Sequence, residues 1–219
     1  MIMKKLVIFD LDGTLIDTIV DAGRCFNKVL EHFGLKTHSL EEYKHMVGGN
    51  LEVMFSNLVG DEDRTAEMIS KLKEKYREVY LADPKPNTKP FDGILDVLKK
   101  LNEDGNISIA INTNKSQLLA EELCAEMFAG INFSGILGYI ESRPSKPDPY
   151  AANELMRING ALPEETVYIG DSITDITTAK NAGIDCILVN WRNADVSRLV
   201  EENNAKFVAN KPADIFKFL

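Results

Sequence analysis

The stretch "IFDLDGT", residues 8–14, ends an apolar run with two aspartates one residue apart, followed by a glycine and a threonine. The run, residues 6–9, is continuous rather than alternating, which is the pattern of a parallel strand covered on both faces. A single Asp after such a strand is an ordinary turn or cap residue. Two carboxylates there repel each other at the end of a buried strand, and something elsewhere in the chain must answer that charge.

Further apolar runs of the same kind occur at residues 107–112, 136–140, 167–169 and 186–189. Helical stripes lie between most of them: Ile94, Leu95, Leu98 and Leu101 before Gly105; Leu118, Leu119, Leu123, Met127 and Phe128; then Ala152, Leu155 and Met156 before Gly160. Strands alternating with helices predict an α/β fold with a doubly wound parallel sheet. Residues 18–83 break the alternation. Three helical stripes occupy them, built on Phe26 and Leu30, on Met54 and Phe55, and on Leu72 and Tyr76, and a proline-rich "DPKPNTKP" follows. The expected organisation is a core of residues 1–17 and 88–219 with a helical cap, 18–87, inserted after the first strand. Ligands of open α/β sheets bind at the carboxyl ends of the strands.

Composition narrows the function classes. The chain has 219 residues, 44% hydrophobic and 27% charged, with a net charge of −9. That balance argues against nucleic acid or an anionic membrane as the main partner. No apolar run reaches the length of a membrane span, and the run after Lys4 and Lys5 is too short for a signal peptide. Three cysteines, Cys25, Cys124 and Cys186, have no CxxC spacing and read as reduced, packed thiols. A cytoplasmic protein, monomeric or weakly dimeric, is expected.

Four stretches fall at predicted strand ends or helix starts: Asp10-Leu11-Asp12-Gly13-Thr14, Asn112-Thr113-Asn114-Lys115, Ser145-Lys146-Pro147-Asp148-Pro149, and Gly170-Asp171-Ser172 with Asp175. In order and spacing they resemble motifs one to four of the haloacid dehalogenase superfamily, and the likeness spans essentially the whole chain. The helical insert resembles that superfamily's class-one cap. "DGTLIDT", "KPDP" and "GDSITDITTAKNAG" resemble its phosphoglycolate-phosphatase-like branch.

The resemblance implies a Mg²⁺-dependent phosphatase acting on a small-molecule phosphate ester. Asp10 and Asp171 would hold Mg²⁺ by their side chains and Asp12 by its backbone carbonyl; a hard divalent cation suits crowded carboxylates. Asp10 would be the nucleophile and Asp12 the general acid and base. Gly13 permits the turn. Thr113, Asn114 and Lys146 would bind the phosphoryl group, and Asp175 would support Mg²⁺ or orient Lys146. Gly48, Gly49 and Asn50 lie in a cap loop that would read the leaving group. Dehalogenases of the superfamily lack the second Asp, so Asp12 favours phosphoryl transfer. β-Phosphoglucomutases carry a His near the position of Ala22, which this chain lacks. A pyrophosphatase and a non-catalytic phospho-ligand sensor are the other readings.

Outside the motifs, His32, His38 and His45 have no metal-ligand spacing and read as packing or surface residues. Lys115 and Arg143 are candidates for extra positive charge near the phosphate. Trp191 and Arg192 receive no role. Residues 196–200 and 215–219 read as outer packing helices.

Overall fold

Every residue of β1 (Leu6–Phe9) is buried, and successive side chains go to opposite faces of a sheet. Val7 and Phe9 join one apolar cluster with Ile111, Val167 and Ile169; Leu6 and Ile8 join another with Ala110, Leu155 and Tyr168. A strand buried on both faces has no polar side to show, which explains its unbroken apolar sequence.

The computed structural model describes residues 3–46, 49–192, 196–203 and 207–219. The remaining strands are β2 (Ile16–Asp17), β3 (Lys89–Pro90), β4 (Ser108–Ser116), β5 (Phe133–Tyr139), β6 (Thr166–Gly170), β7 (Asp185–Val189) and β8 (Phe207–Ala209). Six form one sheet in the order β5-β4-β1-β6-β7-β8, every neighbouring pair parallel; β2 and β3 pair separately. The chain winds outward from β1 in both directions, so the doubly wound expectation holds. Its switch point falls at β1, between β4 and β6, where such sheets collect their functional groups. The described helices are α1 (Ile19–His32), α2 (Leu40–Met46), α3 (Leu51–Leu58), α4 (Ala66–Ala82), α5 (Ile94–Asp104), α6 (Gln117–Met127), α7 (Tyr150–Asn159), α8 (Ile173–Ala182) and α9 (Ser197–Asn203). Leu98 of α5 and Leu123 of α6 pack into the cluster of Val7 and Phe9, while Ala152 of α7 and Ala179 of α8 pack into the other.

Several elements differ from the sequence expectation, the two-residue strands β2 and β3 among them. β8 is an added edge strand of three residues, too short to show a period. α2 is one further short helix in the insert. Near the C-terminus, Pro212–Lys217 is a 3-10 helix rather than an α-helix.

The chain divides into two compact units, one of residues up to Ile16 together with Pro90–Leu219, the other Asp17–Lys89. The second is helical around an aromatic centre, with Phe26 stacked on Tyr43 and Tyr76 and edge-on to Phe55. Two of its buried carboxylates are well supplied with donors. Asp21, wholly buried on α1, accepts from the Asn87 backbone N–H at 2.9 Å, the Asn87 side chain at 2.9 Å and the Thr88 hydroxyl at 2.8 Å, and pairs with Arg24 at 3.0 Å. Arg24 also reaches Asp83 at 2.5 Å, which Lys28 approaches at 3.3 Å. Burial alone would raise both carboxyls; these donors outweigh it and hold both below the usual carboxylate value. His38 is a packing residue, its Nε2 2.8 Å from the Leu58 carbonyl, and His32 sits edge-on to Phe33. The His45 side chain lies outside the described residues. Among the described residues no helix is long and apolar enough to cross a membrane.

Candidate active site

β1 delivers Asp10 to the carboxyl edge of the sheet, where its backbone N–H donates to the Ile169 carbonyl of β6 at 2.8 Å. Asp10 is only 7% exposed. Asp171 and Asp175, which follow β6, come to it there. One carboxylate oxygen from each of the three lies within 4.8 Å of the others. Gly13 has φ +84°, and a Cβ on it would collide with the Asp171 carboxylate, so this turn admits only glycine beside that group.

Lys146 enters from the loop before α7 and is 5% exposed. Its Nζ lies 2.8 Å from Asp10 Oδ1 and 2.7 Å from Asp175 Oδ1. Asp175 spends its other oxygen on Ser172, accepting from the hydroxyl at 2.6 Å and the backbone N–H at 3.1 Å, the capping box that opens α8. Asp175 therefore orients Lys146 and fixes the start of α8, leaving Asp10 and Asp171 as the less committed carboxylates. Beneath Lys146, the buried Tyr168 ring lies 5.9 Å from Nζ, and its hydroxyl donates to the Asn112 carbonyl at 3.0 Å.

Three carboxylates meet here, and one ammonium contacts two of them. Burial pushes the Asp10 carboxyl up, to about 7, with the Asp175 and Asp12 charges adding to the rise and Lys146 opposing it. Asp171 keeps part of its surface open to solvent; burial raises it too, and then the charges of Asp175 and Asp10. Lys146 is held fully charged: burial would discharge it, but Asp10 and Asp175 outweigh that. Formally the group carries three negative charges and one positive, a surplus of two. An all-oxygen donor set with that surplus suits a hard divalent cation, so the residues fit Mg²⁺.

β4 runs on through Ser116, and its end supplies the next three predicted residues. Thr113, 4% exposed, accepts the Lys115 N–H at its hydroxyl at 3.2 Å. The Asn114 side chain is engaged with the Lys146 backbone: its Oδ1 accepts the Lys146 N–H at 2.9 Å and its Nδ2 donates to the Lys146 carbonyl at 3.3 Å. It clamps the loop that carries Lys146. Lys115 reaches Asp12, Nζ to Oδ2 at 3.1 Å. The Asp12 carboxylate stands apart from the Asp10, Asp171 and Asp175 group. Arg143 is structural, its guanidinium donating to Gln117 Oε1 at 2.9 Å and the Gly138 carbonyl at 3.0 Å.

Two residues without an assignment from sequence acquire surroundings. Trp191, after β7, donates its Nε1–H to the Thr14 carbonyl at 2.8 Å and so braces the loop after β1. Arg192 lies over the Phe91 ring, 5.5 Å from its centroid, and its charge favours ionised Asp171. No sequence period marks such contacts, because they join residues more than 100 positions apart. Gly48 lies outside the described residues. Gly49 has φ +85°, and Asn50 is the N-cap of α3, its side chain accepting from Glu52 and Val53 N–H.

Comparison with known proteins gives consistent results. The family model described as haloacid dehalogenase-like hydrolase matches residues 7–189. A phosphoglycolate phosphatase of Pseudomonas putida is 30% identical over 188 residues, covering 84% of this chain and 69% of the relative. A phosphoglycolate phosphatase of Aquifex aeolicus is 28% identical over 219 residues, covering 98% of this chain and 96% of the relative. A crystal structure of a protein from Lactobacillus delbrueckii subsp. bulgaricus matches with a TM-score of 0.88 and 28% identity, covering 98% of this chain and 97% of that one.

Proposed function

The chain belongs to the haloacid dehalogenase-like hydrolase family, and from that premise we propose that it is a Mg²⁺-dependent phosphatase of small phosphomonoesters working through an aspartyl-phosphate. The observation that carries the reading is the buried cluster of Asp10, Asp171 and Asp175 around the single ammonium of Lys146. Phosphoglycolate is the proposed substrate, supported by the two relatives of that activity. The cytoplasm is the proposed location.

Asp10 and Asp171 would hold the cation, with Asp12 adding its backbone carbonyl. When bound, the cation offsets the carboxylate charge and lets a phosphate dianion approach an anionic nucleophile. The chain's own groups do the rest. Lys146 neutralises Asp10 in the resting site and binds a phosphoryl oxygen, with the Thr113 hydroxyl as a second donor. Asn114 acts on the substrate indirectly, by fixing the Lys146 backbone. An Asp10 oxygen forms a bond to phosphorus as the ester P–O bond breaks, and the proton on Asp12 passes to the departing oxygen. In the second half, Asp12 takes a proton from water as that water attacks phosphorus, releasing phosphate and restoring Asp10. A phospho-ligand sensor would need neither the nucleophile nor the proton donor.

Purified protein is expected to release phosphate from p-nitrophenyl phosphate and phosphoglycolate with Mg²⁺, and to stop with EDTA. Asp10→Asn is expected to lose at least about a thousand-fold in kcat. A wild type that releases phosphate from no phosphomonoester in a substrate panel with Mg²⁺ would overturn the proposal.

A further inference from the structure

Lys115 lies in a place where a lysine is unusual. Its side chain is 9% exposed, although a lysine with no task carries its ammonium out to water. It is held at both ends. Its backbone N–H donates to the Thr113 hydroxyl at 3.2 Å, and its Nζ lies 3.1 Å from Asp12 Oδ2. The parallel pairing of β1 with β4, with Phe9 opposite Ile111, brings the two chain segments side by side at the sheet's carboxyl edge. Both charges act on Cys124 of α6. The Cys124 thiol there is pushed up to about 12, first by burial; Asp12 adds to that rise and Lys115 opposes it. The Asp12 carboxylate is asymmetric. Oδ2 has the ammonium, while Oδ1 is buried and has no hydrogen-bond partner among the described residues.

We propose that Lys115 is a positioning residue for Asp12, anchoring Oδ2 and so holding the carboxylate in the orientation from which it gives and takes the proton. The inference rests on the reading of Asp12 as the acid and base of a phosphatase. A carboxylate on a flexible loop has several rotamers, and fixing one oxygen selects among them. Asp12 gives its proton to the leaving oxygen as the P–O bond breaks, so Lys115 affects the step in proportion to how much that oxygen needs a proton. An alkoxide leaving group needs it; p-nitrophenolate, a stable anion, scarcely does. A residue that bound the phosphoryl group instead would affect both esters alike.

The test compares kcat/KM for phosphoglycolate and for p-nitrophenyl phosphate, since kcat/KM reports the steps up to leaving-group departure. For Lys115→Met, the value for phosphoglycolate is expected to fall about 100-fold, and that for p-nitrophenyl phosphate less than about fivefold. Inhibition by inorganic phosphate is expected to stay within about twofold of wild type. Lys115→Arg keeps a cation beside Asp12 and is expected to recover most of the phosphoglycolate rate, which also guards against a misfolded Met variant. Equal losses on both esters, or weaker phosphate inhibition in step with the rate, would overturn the inference while leaving the phosphatase reading in place. A wild type inactive on both esters would overturn the two together.

Discussion

Asp21 and Asp83 in the helical unit are no more exposed to solvent than Asp10 in the sheet unit, but their surroundings differ in kind. Asp21 has three neutral donors and a guanidinium; Asp83 has Arg24, Lys28 and the Lys85 N–H, which lies 2.9 Å away. Each carboxylate there is complete, and both titrate below their usual value. Asp10 and Asp175 share the Lys146 ammonium with Asp171 crowded beside them, and Asp10 and Asp171 titrate above their usual value. Low solvent exposure alone therefore does not separate a structural aspartate from a reactive one. Desolvation costs Asp10 more, and it has fewer donors to offset that. A carboxylate with all its partners stabilises the fold and can do little else, whereas one short of partners is left able to bind a cation or attack phosphorus.

The largest stability effect is expected where the carboxylate is complete. Asp21→Ala strands the Asn87 and Thr88 donors and removes an Arg24 partner inside the helical unit. That is expected to cost about 3 kcal/mol, or roughly 6–12 °C in the midpoint of thermal unfolding followed by circular dichroism. A fall of less than about 1 kcal/mol would mean that water replaces the carboxylate, and the contrast between the units would lose one side.

How far this contrast is legible without coordinates differs between the two units. The sheet site is largely readable: Asp10, Asp12 and Asp171 are charged residues at or just past the ends of apolar runs, Lys146 lies in a loop before a helix, and a doubly wound topology brings such ends together. The helical unit's polar interior is not. Asp21 lies on an amphipathic stripe, and its partners Asn87 and Thr88 sit within a proline-rich stretch that reads as a linker. Nothing local tells a linker asparagine from a buried donor. The same limit explains Asn114, whose motif position suggests ligand contact but whose amide is taken up by the Lys146 backbone. Trp191 is a further case, since its partner is a backbone carbonyl 177 residues away. Periodicity reports which face of an element is buried, not which distant polar atom it meets there.

A second way to break the comparison is pH. Without metal, Asp10 binds its proton more tightly folded than unfolded. Its protonation stabilises the fold fully below the unfolded value near 4, and that stabilisation is lost as pH rises through about 7. The helical unit's aspartates do the reverse: their stabilisation is present above about 4 and lost as pH falls through their lowered values. Between pH 5 and pH 8 Asp21, Asp83 and Lys146 keep their charges, so among these groups the site's carboxylates are the ones that change. EDTA-treated protein is expected to be about 2 kcal/mol less stable to urea at pH 8 than at pH 5. Mg²⁺ is expected to restore most of that at pH 8 and little at pH 5, where protons compete for Asp10. A metal-free stability that is flat or rising over this range would show that Lys146 already satisfies the cluster.

The smallest expected effect is also the most direct. Asp171→Asn keeps the shape of the side chain beside Gly13 but removes one of the charges that repel Asp10 and Asp175. It also removes the attractions of Arg192 and Lys146, each weaker than either repulsion. With repulsion the larger, the metal-free variant is expected to be more stable than wild type by about 1 kcal/mol, because one crowded charge no longer needs an answer. The same substitution removes a proposed ligand, so the rise in unfolding midpoint on adding Mg²⁺ is expected to vanish along with phosphate release. A variant that gains stability while losing both responses marks a site whose function depends on an unfavourable arrangement of charge. A variant destabilised by 1 kcal/mol or more without metal would place Asp171 with Asp21, as a carboxylate whose partners are complete.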